Sequence, residues 1–326
     1  MKSNIFKIIK NTFFLFIFLL FTISCKKQEK KAQVIKFDNT EIKAPFFKLS
    51  LAQWSLHKAI RDEKTLDAID FAQKANELGF EGLEYVSQLY KEQIEIIGME
   101  ALKDSLKSKS EQYGLKNLLI MVDGEGELAS PDEGKRNEAI ENHKKWVDAA
   151  AFLGCHSIRV NLFGTDDPEI WKQTSTDGLS KLASYAKTKN INIIVENHGY
   201  LSSNAALLVE VIKSVNTSNC GLLPDFGNFC LKREGGERWS ANCIEEYDRY
   251  KGVTEMMPYA KAVSAKSHDF DENGNETKTD YIKMLQIVKD AGYTGYIGVE
   301  YEGSILSEED GIEATKNLLI KASEKL

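Results

Sequence analysis

The chain has 326 residues, 42% of them apolar and 28% charged, with 42 Lys and Arg against 49 Asp and Glu for a formal net charge of −7. That apolar share supports a large core, and the acidic balance repels polyanions, which argues against nucleic-acid binding. Beyond Cys25, the residues Cys155, Cys220, Cys230 and Cys243 form no CxxC pair; they read as buried free thiols, although an exported chain could pair them, and no disulfide is assigned.

The first element is a targeting segment. "MKSNIFKIIK" carries Lys2, Lys7 and Lys10, and an apolar run follows from Phe13 to Phe21. This is the basic and apolar pattern of an export signal, and the run is short of the roughly 20 residues that span a bilayer. It ends in "TISC" before "KKQEKK", which resembles a bacterial lipoprotein signal with cleavage before Cys25 and lipid on its sulfur. Thr22 departs from that pattern, which usually has Leu there. The expectation is a signal peptide over 1–24, a Lys- and Gln-rich tether over 25–44 and a folded domain over 45–326. The protein is then an exported lipoprotein, membrane-anchored and facing the periplasm. An uncleaved anchor would leave the domain on the same side.

From residue 45 one unit repeats. Short apolar segments read as strands: "FKLSLAQWSLH", "GFEGLEYVS", "LKNLLIMVDG", "CHSIRVNLFG", "INIIVENHG", "CGLLPDFGNF", "KAVSAKSHDF" and "YTGYIGVEYEG". Amphipathic segments lie between them. "KTLDAIDFAQKANELGF" puts Leu66, Ile69, Phe71, Ala72 and Ala75 on one helical face with Gly79 as its C-cap. "NEAIENHKKWVDAAAFLG", "LSKLASYAKTKN", "NAALLVEVIKSV" and "DYIKMLQIVKDAG" repeat the theme. Near-continuous apolar strands, each followed by a helix, predict a parallel sheet covered by helices. Eight such units predict an α/β fold, a single (β/α)8 TIM barrel. A doubly wound open sheet usually has a Gly-rich turn after its first strand, and "LAQWSLHKAI" contains no glycine.

In such a barrel the active site lies at the C-terminal ends of the strands. The fifth strand ends with Glu196 and His198, the sixth with Asp225 and Asn228. The seventh carries Lys266 and His268, and the eighth ends with Glu300 and Glu302. The first, second and fourth add His57, Glu84, Arg159 and Asn161. Three carboxylates converging from neighbouring strands repel one another without a cation between them. Oxygen and imidazole ligands suit one divalent metal: Mn, Mg, Co or Zn. His143 and His156 sit on a helix and at a strand start, positions that read as structural. Trp54, Phe226 and Phe229 could stack on a sugar ring, though core packing is the commoner fate. "GEGELASPDEG" and "KREGGERWSAN" read as loops over the mouth.

The segments "VENHG", "PDFGNF", "AKSHDF" and "GYIGVEYEG" resemble the xylose-isomerase-like barrel superfamily, over roughly residues 46–326. The resemblance implies that a Glu, an Asp, a His and a Glu from strands five to eight hold one divalent metal. That metal binds adjacent oxygens of a ketose or related sugar, and two ligand carboxylates move the proton at the neighbouring carbon. By position the carboxylates are Glu196, Asp225 and Glu300. Two positions depart: Asn228 replaces a His that many relatives carry, and Ser264 falls at the metal-binding His. His268, four residues on and on the same strand face, either supplies the missing ligand or is a surface or substrate residue.

The catalytic expectation is Glu196 or Glu300 as base, with the other carboxylate or His198 returning the proton and Lys266 polarising a carbonyl. Asn228, Arg159, Asn161, Glu84 and His57 are the expected substrate contacts. This implies a metal-dependent isomerase or epimerase of an unphosphorylated sugar or keto-sugar. Two alternatives stand beside it: a lyase expelling a β-substituent from a 3-keto sugar or glycoside, and a non-catalytic, membrane-tethered sugar-binding protein, favoured by Ser264 and Asn228. DNA-repair endonucleases of the same superfamily need more His ligands than the chain offers. The expected partners are a small carbohydrate and the membrane through the lipid anchor alone, with homo-oligomerisation left open.

Overall fold

Ten strands succeed one another in the computed structural model, which describes residues 44–239 and 241–326. The signal segment, Cys25 and the tether up to residue 43 lie outside the described residues. The strands are β1 (Lys48–Ala52), β2 (Gly82–Val86), β3 (Lys116–Met121), β4 (Ser157–Val160), β5 (Asn192–Glu196), β6 (Cys220–Leu223), β7 (Cys230–Arg233), β8 (Cys243–Glu246), β9 (Val263–Ser267) and β10 (Tyr296–Tyr301). Eight form one sheet in the order β6-β5-β4-β3-β2-β1-β10-β9, and β7 and β8 make a separate hairpin. All pairings within the large sheet are parallel. The two edges meet through the parallel bridges Leu222–Ala260 and Asp225–Ser264. The barrel thus closes, as the eight-unit repeat predicts.

The helices α1 (Phe71–Glu77), α2 (Lys91–Gln112), α3 (Glu133–Leu153), α4 (Pro168–Thr188), α5 (Ala205–Val215), α6 (Arg249–Met256), α7 (Tyr281–Asp290) and α8 (Glu308–Ser323) cover the outside. Local chemistry fixes their ends. The Asp167 side chain accepts from the N–H groups of Glu169 and Ile170, and Pro168 opens α4 where no N–H is needed. Asp132 caps α3 in the same way, and Gly154 ends it at φ 80°, a left-handed conformation open to glycine. The first predicted helix begins later than its periodicity suggests. Asp67 accepts from the Ile69 N–H, so residues Ala68–Asp70 form a 3-10 turn before α1.

β5 explains why the strands read as apolar runs. Ile193, Ile194 and Val195 are fully buried, because one face of a barrel strand packs inside and the other meets the helices. The thiols of Cys155 and Cys220 are free and buried. Cys230 and Cys243 instead form a disulfide, with Cα atoms 5.7 Å apart. Thirteen residues separate them in sequence, and the antiparallel pairing of β7 with β8 brings them together. Among the described residues no helix is long and apolar enough to cross a membrane.

Candidate active site

Glu196 ends β5, Asp225 follows β6 and Glu300 lies on β10; all three are buried, and ligand oxygens from each lie within 4.8 Å of one another. Ser264 on β9 stands between two of them, with Oγ 2.7 Å from Asp225 Oδ2 and 3.0 Å from Glu300 Oε2. A hydroxyl carries one proton, so the two carboxyls compete for it as acceptors. Burial pushes Asp225 up to about 7 against the pull of Lys266, and Glu196 adds to the push. Burial also drives Glu300 well above the usual carboxylate range, again against Lys266. Asp225 is held in place by the N–H groups of Gly227 and Asn228, both 2.8 Å from Oδ1.

Two cations answer this negative charge. Lys266 Nζ lies 2.8 Å from Glu302 Oε1 and 3.6 Å from Glu300 Oε1. Against the penalty of burial, these carboxylates raise its pKa well above the ordinary value. Burial acts to raise Glu302, but Lys266 overcomes it and holds that carboxyl at about 2. Arg159 pairs with Glu196 at 3.0 Å and with Asp123 at 2.9 Å. Five carboxylates (Asp123, Glu196, Asp225, Glu300 and Glu302) thus face Lys266 and Arg159 alone in this network. The donor set of Glu196, Asp225 and Glu300, with the Ser264 hydroxyl beside it, is all oxygen. It fits a hard divalent cation, which would offset the surplus charge.

His198 joins the network through Asn161. Asn161 Nδ2 donates to Asp123 Oδ1 at 2.6 Å, which fixes the amide so that Oδ1 accepts from Arg159 at 3.1 Å. The same Oδ1 lies 2.7 Å from His198 Nδ1, so that nitrogen carries the proton and Nε2 is left as an acceptor. Burial lowers the His198 pKa, with Glu196 opposing. Asn228 donates to Glu196 Oε1 at 2.9 Å. Asp123, Arg159, Asn161, His198 and Asn228 border a cavity of about 1060 Å³ whose wall also includes Trp54, Lys266, Trp239 and Glu300, while Glu196 and Asp225 are buried outside that lining.

A protein-family model matches residues 72–322, most of the barrel. The chain belongs to the xylose isomerase-like TIM barrel family. A segment of 65 residues, 19% of this chain, is 38% identical to the C-glycoside deglycosidase alpha subunit of Arthrobacter globiformis and covers 18% of that protein. The chain thus matches less than a fifth of the length of its curated relatives. Among solved structures, the IolI protein with a bound zinc atom superposes with a TM-score of 0.62 at 17% identity, over 86% of this chain and 99% of that one. The 3-keto-D-glucoside 4-epimerase of E. coli does so with a TM-score of 0.61 at 14% identity, over 83% and 98%. At such identities the likeness is one of fold.

Within this family barrel, eight residues expected at the mouth form one connected cluster: Glu196, Asp225, Glu300, Lys266, His198, Arg159, Asn161 and Asn228. His268 lines the same cavity but is absent from the convergent ligand group. β9 ends at Ser267, so His268 has already left the sheet, and Ser264 is the residue that faces Asp225. Glu84 is not at the rim. It is buried in the barrel, accepts from Ser50 Oγ at 2.6 Å and lines a second cavity of about 750 Å³. That cavity is walled by Lys116, Asn192 and Tyr296, at the starting ends of β3, β5 and β10. His57 turns from the mouth, with Nδ1 2.7 Å from the Trp54 carbonyl and 3.6 Å from Glu308. Phe226 and Phe229 are core residues. Sequence reasoning passed over Asp123, although "LLIMVD" ends an apolar run in a carboxylate just as β5 does. It read the segment with Arg238 and Trp239 as a loop over the mouth, where both residues do line the cavity, but missed the strands of its hairpin.

Proposed function

We propose that this protein is an enzyme that moves a proton at the carbon beside the carbonyl of an unphosphorylated sugar, as an isomerase or epimerase. The observation that carries this reading is the convergence of Glu196, Asp225 and Glu300 in one buried mouth, with Lys266 against Glu300. Glu196, Asp225 and Glu300 would hold one divalent metal, whose charge, when bound, polarises a sugar carbonyl and its adjacent hydroxyl. Glu196 or Glu300 takes the proton, and the other carboxylate or His198 returns it. Lys266 faces the negative charge that develops on the substrate oxygen. Return to the opposite face of the same carbon epimerises; return to the neighbouring carbon isomerises. Arg159, Asn161 and Asn228 set the positions of Glu196 and His198 through the contacts above, and Arg159 and Asn228 withhold Glu196 oxygens from solvent.

The deglycosidase match favours a second reading with the same residues. Expulsion of a β-substituent from the same deprotonated keto-sugar would make the enzyme a lyase. Export is part of the proposal: a disulfide at Cys230–Cys243 supports an oxidising compartment, in keeping with the signal and lipid site at Cys25.

The test is elemental analysis of the purified protein beside Asp225→Asn, followed by NMR of keto-sugars in deuterated water. Stoichiometric metal lost in the variant, with deuterium entering beside the carbonyl, is the expected result. No metal in either protein after incubation with Mn, Mg, Co and Zn would overturn the metal mechanism. Metal without exchange on any keto-sugar would overturn the proton transfer.

A further inference from the structure

The hairpin of β7 and β8 is an addition to the barrel whose position over the mouth is fixed at three points. The Cys230–Cys243 disulfide closes its base. The Tyr200 hydroxyl donates to the carbonyls of Gly236 and Glu237, at 3.1 and 2.7 Å, and ties the tip to the loop that follows Glu196. Arg238 lies 4.6 Å over the Phe163 ring and 3.4 Å from Glu127 Oε1. What the arm presents is Trp239. Its indole is 51% exposed, 4.9 Å from the His198 ring and 5.7 Å from Phe163, edge to face. A large apolar ring left half in water at a polar cavity is a surface waiting for a flat partner.

The size of the cavity points the same way. At about 1060 Å³ it stands at the top of the roughly 300–1,000 Å³ range that encloses drug-sized ligands, more than one sugar ring fills. A ring held beside Glu300 and Lys266 leaves the outer part, beside Trp239, Phe163 and Asn242, unoccupied. His198 stands at the boundary, bonded inward to Asn161 and packed outward on Trp239.

We propose that Trp239 and Phe163 form a second-ring subsite, so that the substrate is a keto-glycoside. Its reacting sugar sits at the carboxylates, and its aglycone or second sugar stacks on the indole. The inference rests on the reading of the inner site as a sugar site. The disulfide holds the two strands of the arm together, and Tyr200 fixes its tip.

The test is calorimetric binding of methyl 3-keto-β-D-glucoside and phenyl 3-keto-β-D-glucoside to the full protein, to Trp239→Ala and to Trp239→Phe. Wild type is expected to bind the phenyl glycoside about tenfold more tightly, the size of one good aromatic contact. Trp239→Ala removes that preference and leaves the methyl glycoside unchanged, while Trp239→Phe keeps most of it. Unchanged thermal melting shows that the variants fold. Equal affinity of wild type for the two glycosides, or a preference that survives in Trp239→Ala, would overturn the subsite and leave the inner site standing. If neither glycoside binds, the sugar reading itself fails, and the subsite with it.

Discussion

Glu84 offers the sharpest test of the electrostatics, because its chemistry is visible in stability alone. It is 1% exposed; one oxygen accepts from Ser50, and the other is buried without a partner among the described residues. Burial pushes the carboxyl from its ordinary 4.5 up to about 7, with Ser50 pulling the other way and Glu196 adding to the rise. The unfolded chain therefore gives up this proton first. Between pH 4.5 and 7 the folded state binds more protons, so stability falls as pH rises. The contribution is fully present below 4.5 and is lost as pH passes about 7. At 1.36 kcal/mol for each pH unit, roughly 3 kcal/mol disappears across the window. Glu84→Gln cannot titrate, and any cost of its unpaired amide is the same at every pH. Urea unfolding of both proteins at pH 5 and pH 8 should show the variant gaining about 2–3 kcal/mol on wild type between the two. Asp225 and Glu300 titrate in both proteins and largely cancel. A gap that stays constant from pH 5 to pH 8 would refute the claim that Glu84 is neutral in the fold.

Lys266→Met removes the cation between Glu300 and Glu302. It should cost about 3–5 kcal/mol in urea unfolding at pH 8, because it leaves the buried Glu302 carboxylate, which Lys266 holds ionised, uncompensated. Reduction of Cys230–Cys243, or Cys230→Ser with Cys243→Ser, should free the hairpin. Limited trypsin digestion should then cleave after Arg233 or Arg238 several times faster, while the barrel melts within a few degrees of wild type. Equal cleavage rates would show that Tyr200 and the backbone ladder hold the arm unaided.

The barrel was legible because its strands are buried on both faces, which turns them into apolar runs. The carboxylates were legible because each ends such a run. Depth inside the barrel was not legible. Glu84 fits in the interior only because Gly298, on β10, lacks a side chain: a Cβ there would stand 2.6 Å from both Glu84 oxygens. No local pattern around "GLEYV" carries that information. His268 was placed by strand alternation, which fails once β9 ends at Ser267. β7 and β8 escaped notice because their residues are exposed or half-buried, so no hydrophobic period marks them as strands. The disulfide supplies what burial does not.

The site and the seam of the barrel are one feature. Pro224 follows β6 and has no N–H for the ladder, and the only strand pairings between β6 and the β9 side among the described residues are two isolated bridges. Ser264 completes one of them, donating its N–H to the Pro224 carbonyl at 3.0 Å and accepting from the Phe226 N–H at 3.1 Å. On the other side, the fully buried Asn197 replaces a ladder partner. Its Oδ1 accepts from the Asp225 N–H at 2.7 Å, and its Nδ2 donates to the carbonyls of Asp225 and Asn228, each at 3.0 Å. A regular sheet here would point successive side chains to alternate faces. The side-chain splice instead turns the chain sharply at Asp225, so that one oxygen caps Gly227 and Asn228 while the other reaches Ser264. The succession Glu196, Asn197, His198 follows from this geometry. The carboxylate enters the mouth, the amide splices the seam, and the imidazole returns to the mouth two residues on.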